Sequence, residues 1–249
     1  MSGHSKWATI KHKKGAQDKA RGKLFAKLIR QIEVAAREGG GDLSANANLR
    51  GMVQKARDNS VPAATIDRAI KRGTGELEGV RYEAITYEGY GPGGIAVMVE
   101  CLSDNRNRTG ADVRSAFSKS GGSLAEPGAV NWQFSRKAVM HVDGAAPEEE
   151  LMLAVLAGGG EDLTRIEDEW QITGPPASLV ELKAAIEEAG CTIHSAEVEL
   201  VPQSTIAIDD ASDARKVLRL IDALEDLDDV QNVIANFDIP DEFFEELED

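Results

Sequence analysis

The charge of this chain changes sign at one place. Residues 1–73 hold 16 Lys and Arg against 6 Asp and Glu, a net of +10, whereas residues 74–249 hold 12 against 37, a net of −25. The overall balance of −15 taken alone argues against nucleic-acid binding. The division argues the other way, for a cationic head carried by an anionic trunk. The boundary falls at Gly73-Thr74-Gly75, a glycine-rich step that reads as a linker.

The head reads as three helices. In residues 18–38 the apolar side chains Leu24, Phe25, Leu28, Ile29, Ile32 and Ala36 recur at three- and four-residue steps and share one helical face. Gly39-Gly40-Gly41 ends that run. Leu49, Met52, Val53 and Ala56 mark a second helix closing near Asn59-Ser60. A third opens at Pro62, where the missing N–H costs nothing in a first turn, and carries Ile66, Ala69 and Ile70 to Gly73. Short connections predict an antiparallel bundle.

Ahead of the bundle, an arm from Gly3 to Gly15 sets Lys6, Lys11, Lys13 and Lys14 with His4 and His12 around Trp7. So little apolar surface predicts a flexible segment that orders on an anionic partner. Lysine ammoniums release counterions from phosphates, and an indole stacks on an unpaired base. The alternative is that Trp7 packs on the bundle and the lysines only solvate it. Lys19, Arg21, Lys23, Lys27 and Arg30 extend the charge along the first helix. Lys23, Lys27 and Arg30, four and three residues apart, form a stripe suited to a phosphate backbone. No base-reading helix-turn-helix is spelled out, so weak sequence preference is expected. Lys55, Arg57, Arg68, Lys71 and Arg72 either widen the patch or, as the preferred reading, solvate the outer faces.

The trunk alternates strands and helices. Residues 82–88 and 95–102 flank Gly89-Tyr90-Gly91-Pro92-Gly93-Gly94 and predict a hairpin. The glycines mimic a dinucleotide loop but lead into a strand, so no helix N-terminus would receive a pyrophosphate. Asp104-Asn105-Arg106-Asn107-Arg108-Thr109 then enters a helix. Arg106 and Arg108 read either as a second phosphate contact or as neutralisation of Asp104 and Asp112. Further strands are expected at 130–134, with Trp132 in the core, and at 137–142, 162–173, 192–201, 205–208 and 230–237. Helices are expected at 147–157, after Ser178 in a capping-box spacing with Glu181, and at 212–224. The order predicts an α+β protein: a three-helix bundle followed by two small α+β sandwich (ferredoxin-like) domains. The end, residues 241–249, reads as a disordered acidic tail.

Enzymatic signatures are missing from the sequence. It contains no Walker lysine loop, His-Glu-x-x-His, G-x-S-x-G or Cys-x-x-Cys. Cys101 and Cys191 read as small apolar residues and His141 and His194 as structural, so neither metal nor cofactor is expected. The longest apolar run, near residues 95–102, is far short of the ~20 residues of a membrane span. A cytoplasmic address without membrane association is the expectation.

The run Gly3-His4-Ser5-Lys6-Trp7, with Ile10-Lys11-His12-Lys13-Lys14 and Asp18-Lys19-Ala20-Arg21, resembles the YebC family of probable transcriptional regulators, which includes mitochondrial TACO-type translational activators. The resemblance continues through Ala47-Asn48-Leu49-Arg50, Tyr87-Glu88-Gly89-Tyr90-Gly91-Pro92-Gly93-Gly94, Asp104 to Thr109 and Gly128-Ala129-Val130. It implies a helical domain over 1–78, a discontinuous α+β domain over 79–134 plus 204–240, and a second α+β domain over 135–203. It also implies non-catalytic nucleic-acid association. Some members of the family are DNA-binding regulators of transcription, others assist translation on the ribosome, including at proline-rich stretches. Expected partners are therefore DNA or ribosomal RNA, with the ribosome as an assembly. The expected contacts are Lys6, Trp7, Lys11, His12, Lys13, Lys14, Lys19, Arg21, Lys23, Lys27, Arg30, Arg106 and Arg108. The oligomeric state stays open.

Overall fold

A computed structural model describes residues 17–240 and Phe243, with side chains described from Arg21 onward. The head forms α1 (Gln17–Gly39), α2 (Ala47–Asp58) and α3 (Ala63–Thr74). Leu28, Ile32 and Ala36 of α1, Leu49 and Val53 of α2, and Ile66 and Ala69 of α3 are buried together, with Leu24, Phe25 and Ile29 partly so, as the helical periodicity requires. Asn46 ties two helices with one side chain. Its Oδ1 accepts from Leu49 N at 3.0 Å to cap α2, while its Nδ2 donates to Ala35 O and Gly40 O at the end of α1, each at 2.8 Å.

The first trunk sheet has strand order β3-β1-β2-β9, with β1 (Glu83–Tyr90), β2 (Ala96–Ser103), β3 (Ser123–Leu124) and β9 (Val230–Ala235). The hairpin is present: Tyr90 pairs with Ala96 and the register runs back to Glu83 opposite Ser103. Helices α4 (Arg106–Lys119) and α7 (Ala211–Glu225) cover one face, where Val97, Val99, Phe117, Val217, Ile221 and Val233 are buried together. β9 arrives from the far end of the chain and lies antiparallel to β2. The other face of β2 is also covered, Ala96 and Met98 packing with Val130, Phe134 and Ile234, so the strand is apolar almost throughout. A short parallel pair, β8 (Ile206–Ala207) with β10 (Phe237–Asp238), closes this core. Phe243 packs against it; the rest of the expected acidic tail lies outside the described residues.

The second trunk sheet has order β5-β6-β4-β7, all antiparallel, from β4 (Phe134–Asp143), β5 (Asp162–Ile166), β6 (Glu169–Gly174) and β7 (Ile193–Pro202). With α5 (Glu148–Ala157) and α6 (Leu179–Glu188) on one face, it is a split βαβ sandwich of ferredoxin-like strand order. Met140, Leu151, Ile172, Leu182 and Ile186 are its fully buried centre.

Three local expectations are corrected. Residues 162–173 are two strands, because Glu167 adopts φ 50° and turns the chain at Glu167-Asp168. Ser178 makes no side-chain cap with α6; its hydroxyl donates to Pro175 O at 2.8 Å inside a 3₁₀ turn. Residues 131–133 are a 3₁₀ turn, and Trp132 is 68% exposed with its Nε1 donating to Ala129 O at 3.1 Å. That turn is fixed by Glu88, whose carboxylate accepts from the backbone N–H groups of Gly128, Val130 and Asn131. Burial pushes the Glu88 carboxyl up, but these three donors outweigh it and hold it below the usual range.

Candidate nucleic-acid interface

The cations of α1 meet the acids of the trunk. Lys23, Lys27 and Arg30 face the loop of residues 225–229 between α7 and β9. Lys23 Nζ donates to Asp226 Oδ1 at 2.7 Å and to Asp226 O at 3.1 Å, and Lys27 Nζ to Glu225 O at 3.4 Å. Arg30 donates to Asp228 O and, at 3.2 Å, to Asp229 Oδ1. The carbonyls lie at and just past the C-terminus of α7, where the helix dipole is negative and the last C=O groups lack helical partners. The stripe of α1 therefore caps α7.

Asp229 is the centre of this contact, its side chain 8% exposed. Its Oδ2 accepts from Thr109 Oγ1 at 2.6 Å, Arg108 Nη2 at 2.7 Å and Ser103 Oγ at 3.2 Å. Burial raises its pKa, while the hydrogen bonds from Thr109 and Arg108 and the charges of Arg108 and Arg30 win and lower it. The Asp104 to Thr109 run starts α4 around this group: Asn105 Oδ1 caps the helix by accepting from Arg108 N, and Arg108 also reaches Asp104 at 2.7 Å. Arg30, Tyr82, Asp104, Arg108 and Asp229 line a cleft of about 540 Å³ between head and trunk, and the Arg30 guanidinium lies 5.5 Å from the Tyr82 ring centre.

Other head cations are spent in the same way. Lys55 of α2 binds Glu197 of β7 through both carboxylate oxygens, at 2.8 and 2.9 Å. Arg72 reaches the buried Glu33 at 3.2 Å, and Arg37 donates to Val80 O at 3.0 Å. Lys55 and Arg72, read from the sequence as solvating residues, thus have specific partners; the signal was the burial of Glu33 within the apolar face of α1 and the alternation that places Glu197 on β7.

Of the expected contacts, Lys6, Trp7, Lys11, His12, Lys13 and Lys14 lie outside the described residues, as does the side chain of Lys19. Arg21 is exposed, 5.3 Å from the ring centre of Phe25. Arg108 is engaged by Asp104 and Asp229 and so neutralises the acids around it, whereas the Arg106 side chain is exposed and has no ionic partner among the described residues. Arg57, Arg68 and Lys71 are likewise exposed without an ionic partner among them.

Burial first, then the charge of Asp229, pushes the Cys101 thiol up to about 12. His194 Nδ1 and His141 Nδ1 share Glu169 at 2.7 and 3.3 Å on the second sheet. Among the described residues no group of three or more His, Cys, Asp or Glu is placed to hold a metal ion. No helix among them is long and apolar enough to cross a membrane.

Fold and site define a mixed α+β protein in which a cationic helical head is ionically docked on an acidic trunk built on two four-stranded sheets. Residues 5–76 match the model of the TACO1/YebC protein N-terminal domain and residues 82–237 that of the TACO1/YebC second and third domain. The chain belongs to the TACO1/YebC family, as the motif resemblance implied. It is 53% identical over 250 residues to a protein of Halothermothrix orenii named probable transcriptional regulatory protein, covering 99% of each chain. A protein of Geobacter sulfurreducens with the same descriptive name is 49% identical over 247 residues, covering 99% of this chain and 100% of that one. In structure it is similar to a conserved hypothetical protein of Aquifex aeolicus known from a crystal, with a TM-score of 0.82 and 46% identity over 92% of this chain and 95% of that one.

Proposed function

We propose that this is a non-catalytic, nucleic-acid-binding regulatory protein of the cytoplasm, with DNA in transcriptional control as the first candidate target. The supporting observation is the charge division: residues 1–73 carry +10 and begin with an arm free of acids through residue 17. Phosphate binding then rests on Lys6, Lys11, Lys13, Lys14 and Lys19, with Trp7 and His12 among them, and on Arg21, Arg57, Arg68 and Lys71 of the bundle. Lys23, Lys27 and Arg30 join only when the acidic loop releases them, and Arg106 is a separate trunk contact. The names of the relatives support the regulatory reading. We divide the chain functionally into the head, 1–78, a discontinuous domain, 79–134 plus 204–240, and a third, 135–203, with 241–249 as the tail.

The second reading, a factor assisting translation on the ribosome, is favoured by the −25 of the trunk. Phosphate repels such a surface, so a long duplex accommodates only the head, whereas a ribosome offers RNA and basic protein together. Crosslinking in cells followed by sequencing separates the two: promoter fragments support transcription, ribosomal RNA supports translation. In either case Lys11→Ala, Lys13→Ala and Lys14→Ala combined should reduce the salt slope of binding by about 2–3. An unaltered slope would remove the arm from the interface.

A further inference from the structure

Helix α5 has two apolar stripes and covers only one. Leu151, Ala154 and Val155 are buried under the second sheet, as helical spacing demands. On the other side Leu153 and Leu156, three residues apart, are 68% and 65% exposed, with Met152 beside them. Val180, in the first turn of α6, is 74% exposed. The end of α5 sits directly on that turn, since a Cβ at Gly158 would lie 2.7 Å from Leu182 Cα and one at Gly159 would lie 3.6 Å from Ser178 Cβ. Leu156 and Val180 thus flank one helix junction and extend one apolar surface across it. Scattered apolar side chains are ordinary on a surface; an open stripe continued on a second helix is not.

The rim identifies the occupant. Together α5 and α6 carry Glu148, Glu149, Glu150, Glu181, Glu187 and Glu188 against one base, Lys183, which lies 3.8 Å from Glu187. Net negative charge around an apolar centre repels nucleic acid and the anionic face of a membrane. A second copy docking by the same face would set like charge on like charge. What complements it is a chain with apolar side chains on one side and Lys or Arg around them.

We infer that the outer face of α5 and α6 is a docking surface for a cationic, amphipathic segment of a partner protein. It lies on the second sheet, apart from the head, and does not depend on which nucleic acid the head binds. The test uses the full chain and a fluorescein-labelled 18-residue amphipathic Leu/Lys peptide, with a control peptide in which every Leu is Ser. Saturable binding of the first peptide is expected, weakened about tenfold or more by Leu153→Ser, Leu156→Ser and Val180→Ser combined. Glu149→Lys with Glu150→Lys should weaken it too. The three serine substitutions, exposed and without change of charge, should leave thermal unfolding and nucleic-acid affinity unchanged, which keeps a failure here distinct from a failure of the head. Equal binding of the control peptide, or undiminished binding by the serine variant, would overturn the proposal. So would a concentration-dependent dimer in sedimentation that the serine variant abolishes, because a second copy would then be the occupant.

Discussion

Arg30 and Asp229, 199 residues apart in the chain, meet at 3.2 Å and join α1 to the loop that follows α7. The carboxylate is held on its other side by Arg108 and Thr109, so a single buried acid fixes the head, the start of α4 and the entry to β9 at once. Two cations and two hydroxyls around one carboxylate offset the cost of burying it.

Asp229→Asn removes that charge and is expected to destabilise the protein by about 1–3 kcal/mol at neutral pH. Because the folded pKa of Asp229 is lowered, its contribution is present above the ordinary carboxylate pKa and is lost as pH falls through the folded value. The deficit of the variant should therefore shrink roughly between pH 5 and pH 2. Urea unfolding across that range measures it, and a deficit constant with pH would mean that the ionised carboxylate carries none of the stability.

Asp226→Ala with Asp228→Ala strips charge from the loop facing α1. If phosphate and loop compete for Lys23, Lys27 and Arg30, the double variant binds duplex DNA or ribosomal RNA more tightly, and its salt slope rises by about 1–2. The Lys23–Asp226 pair is open to solvent, with Asp226 75% exposed, so stability should change by less than about 1 kcal/mol. Anisotropy titrations over a KCl series decide the matter; an unchanged slope would leave these cations as purely structural.

At Gly73 α3 packs tightly against α1. A Cβ there would stand 2.5 Å from Glu33 O and 2.6 Å from Ala36 Cβ, both on a packed helix. Gly73→Ala should cost about 1–3 kcal/mol through that overlap. Gly51→Ala, in α2 with open space around the new methyl, should instead stabilise by about 0.5–1 kcal/mol. Thermal melts of the two variants should move in opposite directions, and parallel shifts would contradict the packing at Gly73.

The head was legible because its three helices each repeat apolar residues at 3.6-residue spacing, and Leu28, Ile32, Val53 and Ile66 are buried where that period puts them. The turn at Glu167-Asp168 was not, since no glycine or proline marks it and Glu167 itself takes the positive φ. Trp132 misled for a similar reason. Its size implied a core position, but the three backbone bonds to Glu88 hold its loop in a turn that leaves the indole outside.

By itself the sequence determined the helical head, the hairpin at residues 89–94, the α+β order of the trunk and the separation of charge, all of which depend on neighbours within a few residues or on composition. Only the tertiary structure decided where the charges go. Lys23, Lys27, Arg30 and Lys55 find carboxylates or carbonyls 142 to 203 residues away, in elements whose proximity is set by the packing of the hydrophobic cores. Helical spacing fixes which side of a helix a cation occupies; the elements opposite it determine whether that side faces phosphate or the protein's own acids.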